Sequence, residues 1–177
     1  MAWDDELFAF LDDLESQAQA AFDRERRAEL ADRERAEYAT IKLAGRLMAS
    51  VDRELSLGVR GVGTLLGHLE RVANGWLLLI RGRQQWIIPF DALVSVSGAS
   101  DRSVPDVAWP TVARLGLGSA LRRIADAEER CLLHSLDGSR HEGRIRRVGA
   151  DFVEVMCGEP ARVVLVPYGG LAAVQSR

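Results

Sequence analysis

At 177 residues the chain is long enough for one ordinary core or two very small ones, and its 47% hydrophobic and 28% charged residues exclude a disordered polymer. Its net charge of -3 is unevenly spread: residues 1–37 carry 12 acids against 5 arginines, and the remainder carries 14 acids against 18 bases. No apolar run approaches the roughly 20 residues that cross a membrane, and the acidic opening MAWDDELFAF is unlike a basic secretory leader.

In chain order, residues 1–37 read as an acidic amphipathic arm. Trp3, Leu7, Phe10, Leu14, Ala18 and Ala21 recur at three-or-four spacing, which puts them on one helical face. Beyond Phe22 the stripe thins into DRERRAELADRERAE, a charged spacer in which Glu29 and Arg33 stand at the spacing of a helical ion pair. A face holding Trp, Leu and Phe is costly to leave in water, so the arm is expected to dock on the body, self-associate or take a protein partner.

Residues 38–97 read as a first globular unit, 98–113 (SGASDRSVPDVAWP and its flanks) as a linker, and 114–177 as a second unit. Slid by 76 residues, 41–86 lies on 117–162 without a gap: HLERVANGWLLLIRG falls on RIRRVGADFVEVMCG. After two extra residues, IIPFDALVSVS falls on LVPYGGLAAVQ. Each copy predicts a leading helix, with Leu117, Leu121 and Ile124 facing inward in the second and Ile41, Met48 and Val51 in the first, where YATIKLAGRLM is also compatible with a strand. Five short strands follow in each: LSLGV, GTLLGHLERV, WLLLIRG, WIIPF and LVSVS, then CLLHS, RHEGRIRRV, FVEVMCG, VVLVPY and LAAVQ. Leu136-Asp137-Gly138-Ser139 reads as a hairpin turn.

This pattern resembles the Sm-like fold, a small SH3-type barrel found in bacterial and archaeal Sm-like proteins and in the C-terminal barrel of ribosome maturation factors. The residues carrying the resemblance are Asp137-Gly138, Gly143, Ile145, Val148, Phe152, Val153 and VPYGGLAAV, and in the first copy Gly67, Leu69, Val72, Trp76, Leu77 and IPFDALVSV. It implies a mainly β fold with α: a helical arm followed by two duplicated five-stranded barrels, each preceded by a helix. Fusing two such units is expected to bury their own edges and remove the drive toward a ring. The resemblance also implies base-reading Asp and Asn side chains after the second-strand glycine. Those positions hold Ala73 and Leu77 in one copy and Gly149 and Val153 in the other, with Asn74 and Asp151 serving the turns.

Strand alternation adds one further expectation. In WLLLIRG both faces are apolar, so Trp76, Leu78 and Ile80 must be covered by the arm, the other unit or a partner. The three histidines, His68, His134 and His141, lack metal-ligand spacing. Cys131 and Cys157 read as reduced, near-core thiols, and GVRGVG at 58–63 lacks the Lys-Ser/Thr and helix of a phosphate loop. No enzyme, cofactor or metal is expected.

Lys42 is the one lysine, and the arginine-, alanine- and glycine-rich composition suggests a GC-rich bacterial genome, while the acidic opening and the reduced thiols lead to the expectation of a cytoplasmic protein. The function expected is a non-catalytic adaptor acting by protein–protein interaction through Trp3, Leu7, Phe10, Leu14, Trp76, Leu78 and Ile80. The alternative is an RNA- or DNA-binding regulator using Arg81, Arg83, Arg140, Arg144, Arg146 and Arg147, since arginine clamps phosphates and stacks on bases.

Overall fold

The computed structural model describes residues 2–177, with the side chains of residue 10 and of residues 13–177. The chain divides after Ile41 into two compact units.

The first unit is one long helix, α1 (Ala2–Tyr38). Among its described side chains all but that of Ala31 are exposed. Short-range bonds dress its polar surface: Gln17 donates to Asp13 at 2.8 Å, and Arg35 pairs with Asp32 at 3.2 Å. Trp3 and Leu7 lie outside the described side chains. No helix among the described residues is long and apolar enough to cross a membrane.

The second unit, residues 42–177, is mainly β. A short helix, α2 (Leu43–Met48), leads into β1 (Glu54–Val59), β2 (Gly63–Ala73), β3 (Trp76–Arg81), β4 (Gln84–Pro89) and β5 (Leu93–Ser97). A longer one, α3 (Leu117–Asp126), leads into β6 (Arg130–Ser135), β7 (Arg140–Val148), β8 (Phe152–Cys157), β9 (Arg162–Pro167) and β10 (Leu171–Ser176). The helical stripe of α3 does what its spacing predicts: Leu121 is fully buried, with Leu117 and Ile124 packed beside it. In α2 the buried residues are Gly45 and Leu47, while Ile41 falls before the helix and Val51 after it.

The expected pair of closed five-stranded barrels does not form. All ten strands instead make one open antiparallel sheet in the order β5-β1-β2-β3-β4-β10-β6-β7-β8-β9. The reason lies in the edges. For either set to close on itself, its last strand would have to pair with its own fourth. β10 takes β4 of the other set instead, with Val174 opposite Ile87 and Gln175 opposite Trp86. β5 is left at one end of the sheet and β9 at the other. The expected burial of edges by fusion therefore holds for β4 and β10 only.

The two sets of five pair in matching register. Leu55 opposes Gly67 as Cys131 opposes Gly143; Leu57 opposes Val96 as Leu133 opposes Val174; Leu78 opposes Ile87 as Glu154 opposes Leu165. A β-bulge interrupts β2 at Leu69/Arg71 and β7 at Ile145/Arg147. Pro89 and Pro167 each end a fourth strand and open a 3-10 turn.

Gly67 and Gly143 show why the doubled phrase needs its glycine. A Cβ at Gly67 would overlap the carbonyl of Ile80, and one at Gly143 the carbonyl of Met156 on the neighbouring strand.

The core has two clusters, and the middle of the sheet belongs to both. Leu77, Leu79, Trp86, Ile88, Ala172 and Ala173 join the first with Leu47, Leu57 and Leu69. From the same three strands, Trp76, Ile87, Leu171 and Val174 join the second with Leu121, Leu133 and Val155. This is why WLLLIRG is apolar on both faces: each face of β3 meets a different core.

The segment between the sets is packed. Val104 N–H donates to Gly45 O at 3.0 Å, Arg46 Nε to Ser100 O at 2.8 Å, and Lys42 pairs with Asp106 at 2.7 Å. Trp109 Nε1 donates to Val104 O at 3.1 Å, and Ala113 is buried.

Candidate functional site

The candidate residues fall on three surfaces and in the core. Phe10 and Leu14 are exposed on α1, as are Phe22, Leu30 and Tyr38 further along it. Trp76 is buried in the second core, and its indole N–H donates to Leu115 O at 2.9 Å. Leu78 packs half-buried against the same core, and Ile80 is half-buried near the end of β3.

The arginines are exposed, but they form no single patch. Register links one row across five strands: Arg81 opposes Gln84, Gln85 N–H donates to Ser176 Oγ at 2.8 Å, Ser176 opposes Cys131, and Arg130 opposes Arg144. On this row Arg81 ends β3, Arg130 begins β6 and Arg144 stands midway along β7, with Arg177 beside them. Arg140 sits opposite His134, off that row, and Arg147 opposite Glu154 beyond the bulge. Arg146 is exposed at the bulge itself, and Arg83 in the β3–β4 turn. Carboxylates interrupt the charge: Glu142 accepts from Arg177 and stands 3.7 Å from Arg130, and Glu154 pairs with Arg147 at 3.5 Å. Arg130 and Arg177 were not singled out from sequence, because only strand register brings them to this row.

The cysteines are buried free thiols. Burial, with Cys157 nearby, pushes the Cys131 thiol up to about 11, and burial raises Cys157 as well. Both therefore stay protonated and poorly nucleophilic near neutral pH.

Of the histidines, His68 stands 3.7 Å from Asp52, and these two with Glu70 place their ligand atoms within 4.8 Å of one another, all exposed. Sequence spacing missed Asp52 because the β1–β2 pairing folds it back. His141 opposes Leu133.

His134 is buried at the junction of the two sets, with its ring 5.1 Å from Trp86 and its Nε2 3.0 Å from Gln175 Oε1. Burial holds it below its ordinary 6.5, helped by Arg140 and opposed by the bond to Gln175. Sign follows from linkage. As pH falls through 6.5 the unfolded chain takes a proton that the folded chain resists, so stability drops on the acid side and is unaffected by this group at higher pH. Thermal melts from about pH 7.5 to 5 should show the fall, and His134→Gln should flatten it; equal slopes in the two proteins would refute the assignment.

A cleft of about 650 Å³ opens between the start of α2, the β2–β3 turn and the packed segment, lined by Lys42, Asn74, Phe90, Trp109 and Arg114 among others. Asn74 and Gly75 are thus rim residues of this cleft as well as turn formers.

The chain matches no protein-family model, and no curated protein matches its sequence. Function must therefore be argued from the surfaces themselves.

Proposed function

We propose that this protein is a non-catalytic, cytoplasmic binding protein that works by protein–protein interaction. It is built from an internally duplicated five-strand unit and a helical arm. The matching strand registers and the gap-free repeat of 41–86 on 117–162 support the duplication. The observation that carries the function is the arm: α1 presents Phe10 at 60% exposure, with Leu14 on the same stripe. An apolar stripe of this kind on a charged helix fits a groove or a second helix, which would bury it. The protonated state of both thiols supports a binding role over nucleophilic chemistry.

The test is capture by the immobilised full chain from a bacterial lysate, with and without RNase, beside a Phe10→Glu/Leu14→Glu variant. Protein that survives RNase and is lost in the variant supports the reading. RNA whose recovery falls with salt, and falls again in Arg144→Ala/Arg146→Ala/Arg147→Ala, overturns it in favour of nucleic-acid binding. Capture unchanged by the stripe variant overturns it too.

A further inference from the structure

The turn before β1 brings three ligand-type side chains together at the surface of the first set. Asp52 takes the left-handed conformation, φ 66°, and its N–H donates to Leu69 O at 2.8 Å. Leu69 N–H donates in turn to Arg53 O at 2.8 Å. Leu69 is fully buried, while its sequence neighbours His68 and Glu70 are exposed, as is Asp52. His68 Nε2 stands 3.7 Å from Asp52 Oδ1, and one ligand atom from each of the three lies within 4.8 Å of the others. Ligands around one zinc ion stand roughly 3.4 Å apart. Exposed side chains close that difference by rotation about their own bonds.

Two observations separate this group from an ordinary charged surface. Among the described residues no arginine pairs with Asp52 or Glu70, whereas Glu142 and Glu154 of the second set are taken up by Arg130, Arg177 and Arg147. The second set also repeats the backbone of the site without its donors. Its matching turn residue, Glu128, again has a positive φ, 52°, and Arg130 opposes Arg144 as Glu54 opposes His68. Arg144 and Arg146 stand where the first set has His68 and Glu70. A guanidinium has no lone pair to offer a cation.

We propose that Asp52, His68 and Glu70 bind one divalent transition-metal ion of the zinc type. The ligands are His68 Nε2 and one carboxylate oxygen each from Asp52 and Glu70. The imidazole sets the class of ion: magnesium and calcium take oxygen ligands, whereas imidazole beside carboxylates suits zinc and its first-row neighbours. Glu54, exposed opposite His68, adds negative charge beside the site. Three protein ligands leave a fourth position to water. A bound ion ties the turn before β1 to β2, and because the unfolded chain does not hold the three groups together, binding favours the folded state.

The experiment is calorimetric titration of the untagged full chain with zinc chloride, with magnesium present in excess. Both native thiols are buried, so uptake reads the exposed groups. The tightest site should hold one ion per chain. Its affinity should fall by about tenfold or more in each of Asp52→Asn, His68→Gln and Glu70→Gln, since changing even a residue behind a metal ligand costs that much. His141→Gln, on β7, should bind as the parent does. The three ligand positions are exposed and asparagine accepts the backbone of Asp52, so the variants keep the fold, and circular dichroism confirms that.

Zinc uptake abolished by the excess magnesium would mean a mere acidic surface and overturns the proposal. Uptake as tight in His68→Gln as in the parent, or none by the parent, overturns it as well. Thermal melts give the second readout. Zinc in excess should raise the Tm of the parent and leave that of His68→Gln unmoved. An equal rise in the two proteins places the ion elsewhere and overturns the assignment.

Discussion

Trp76→Ala should destabilise the body by about 3–5 kcal/mol, the range for removing a large aromatic ring from a core. The ring is buried in the core cluster that holds Leu121, Leu133 and Val166, and its N–H satisfies the carbonyl of Leu115, which would lose its partner. Trp76→Phe keeps most of the apolar contact and loses the hydrogen bond, so it should cost less than Trp76→Ala. The form of the transition matters as much as its midpoint. β3, β4 and β10 each feed both core clusters, so residues 42–177 should unfold in one step by urea followed in the far and near ultraviolet. Two resolved transitions, or a Trp76→Ala effect confined to one of them, would show that the two sets fold apart.

A second large loss is expected from Gly143→Val, about 2–3 kcal/mol by overpacking, and a comparable one from Gly67→Val. At each site the added carbon would meet a backbone carbonyl, of Met156 or Ile80, which cannot rotate away as a side chain can. Gly169→Ala is the control. Nothing lies within 4 Å of a Cβ there, and its backbone is one any residue adopts, so it should be neutral or slightly stabilising. Urea midpoints of the three variants decide the matter. A Gly143→Val protein as stable as the parent would mean that β7 and β8 separate to admit the side chain.

These glycines also mark what was legible in the sequence. The strands, the Asp137-Gly138 turn and the buried faces of β8 follow from alternation and turn chemistry, which are local. Ser139 donates to Asp137 from both its backbone N–H and its hydroxyl, as such a turn predicts. The closure of the sheet was not legible. Whether β10 pairs with β9 or with β4 depends on edges remote in sequence, and the apolar pattern of LAAVQ is compatible with either. The double-faced WLLLIRG did carry the signal that a second layer covers it, without naming the layer as the other set's core. The arginines were legible one by one. Their row, and the acids that interrupt it, exist only through register. The Asp52, His68 and Glu70 group was hidden for the same reason.

The place of β10 has a consequence for the chain as it is made. The last strand of the ten sits in the middle of the sheet, and it joins β4 through contacts as far as 91 residues apart, such as Gln85 with Ser176. During synthesis the first five strands emerge long before their neighbour. Until then β4 stands as an open template, and Trp86 lacks both Gln175 opposite it and the Ala172 and Ala173 of its core cluster. Nascent chains on crowded ribosomes share this unfinished state, so the step that completes the fold is also the step at which one chain can seize another.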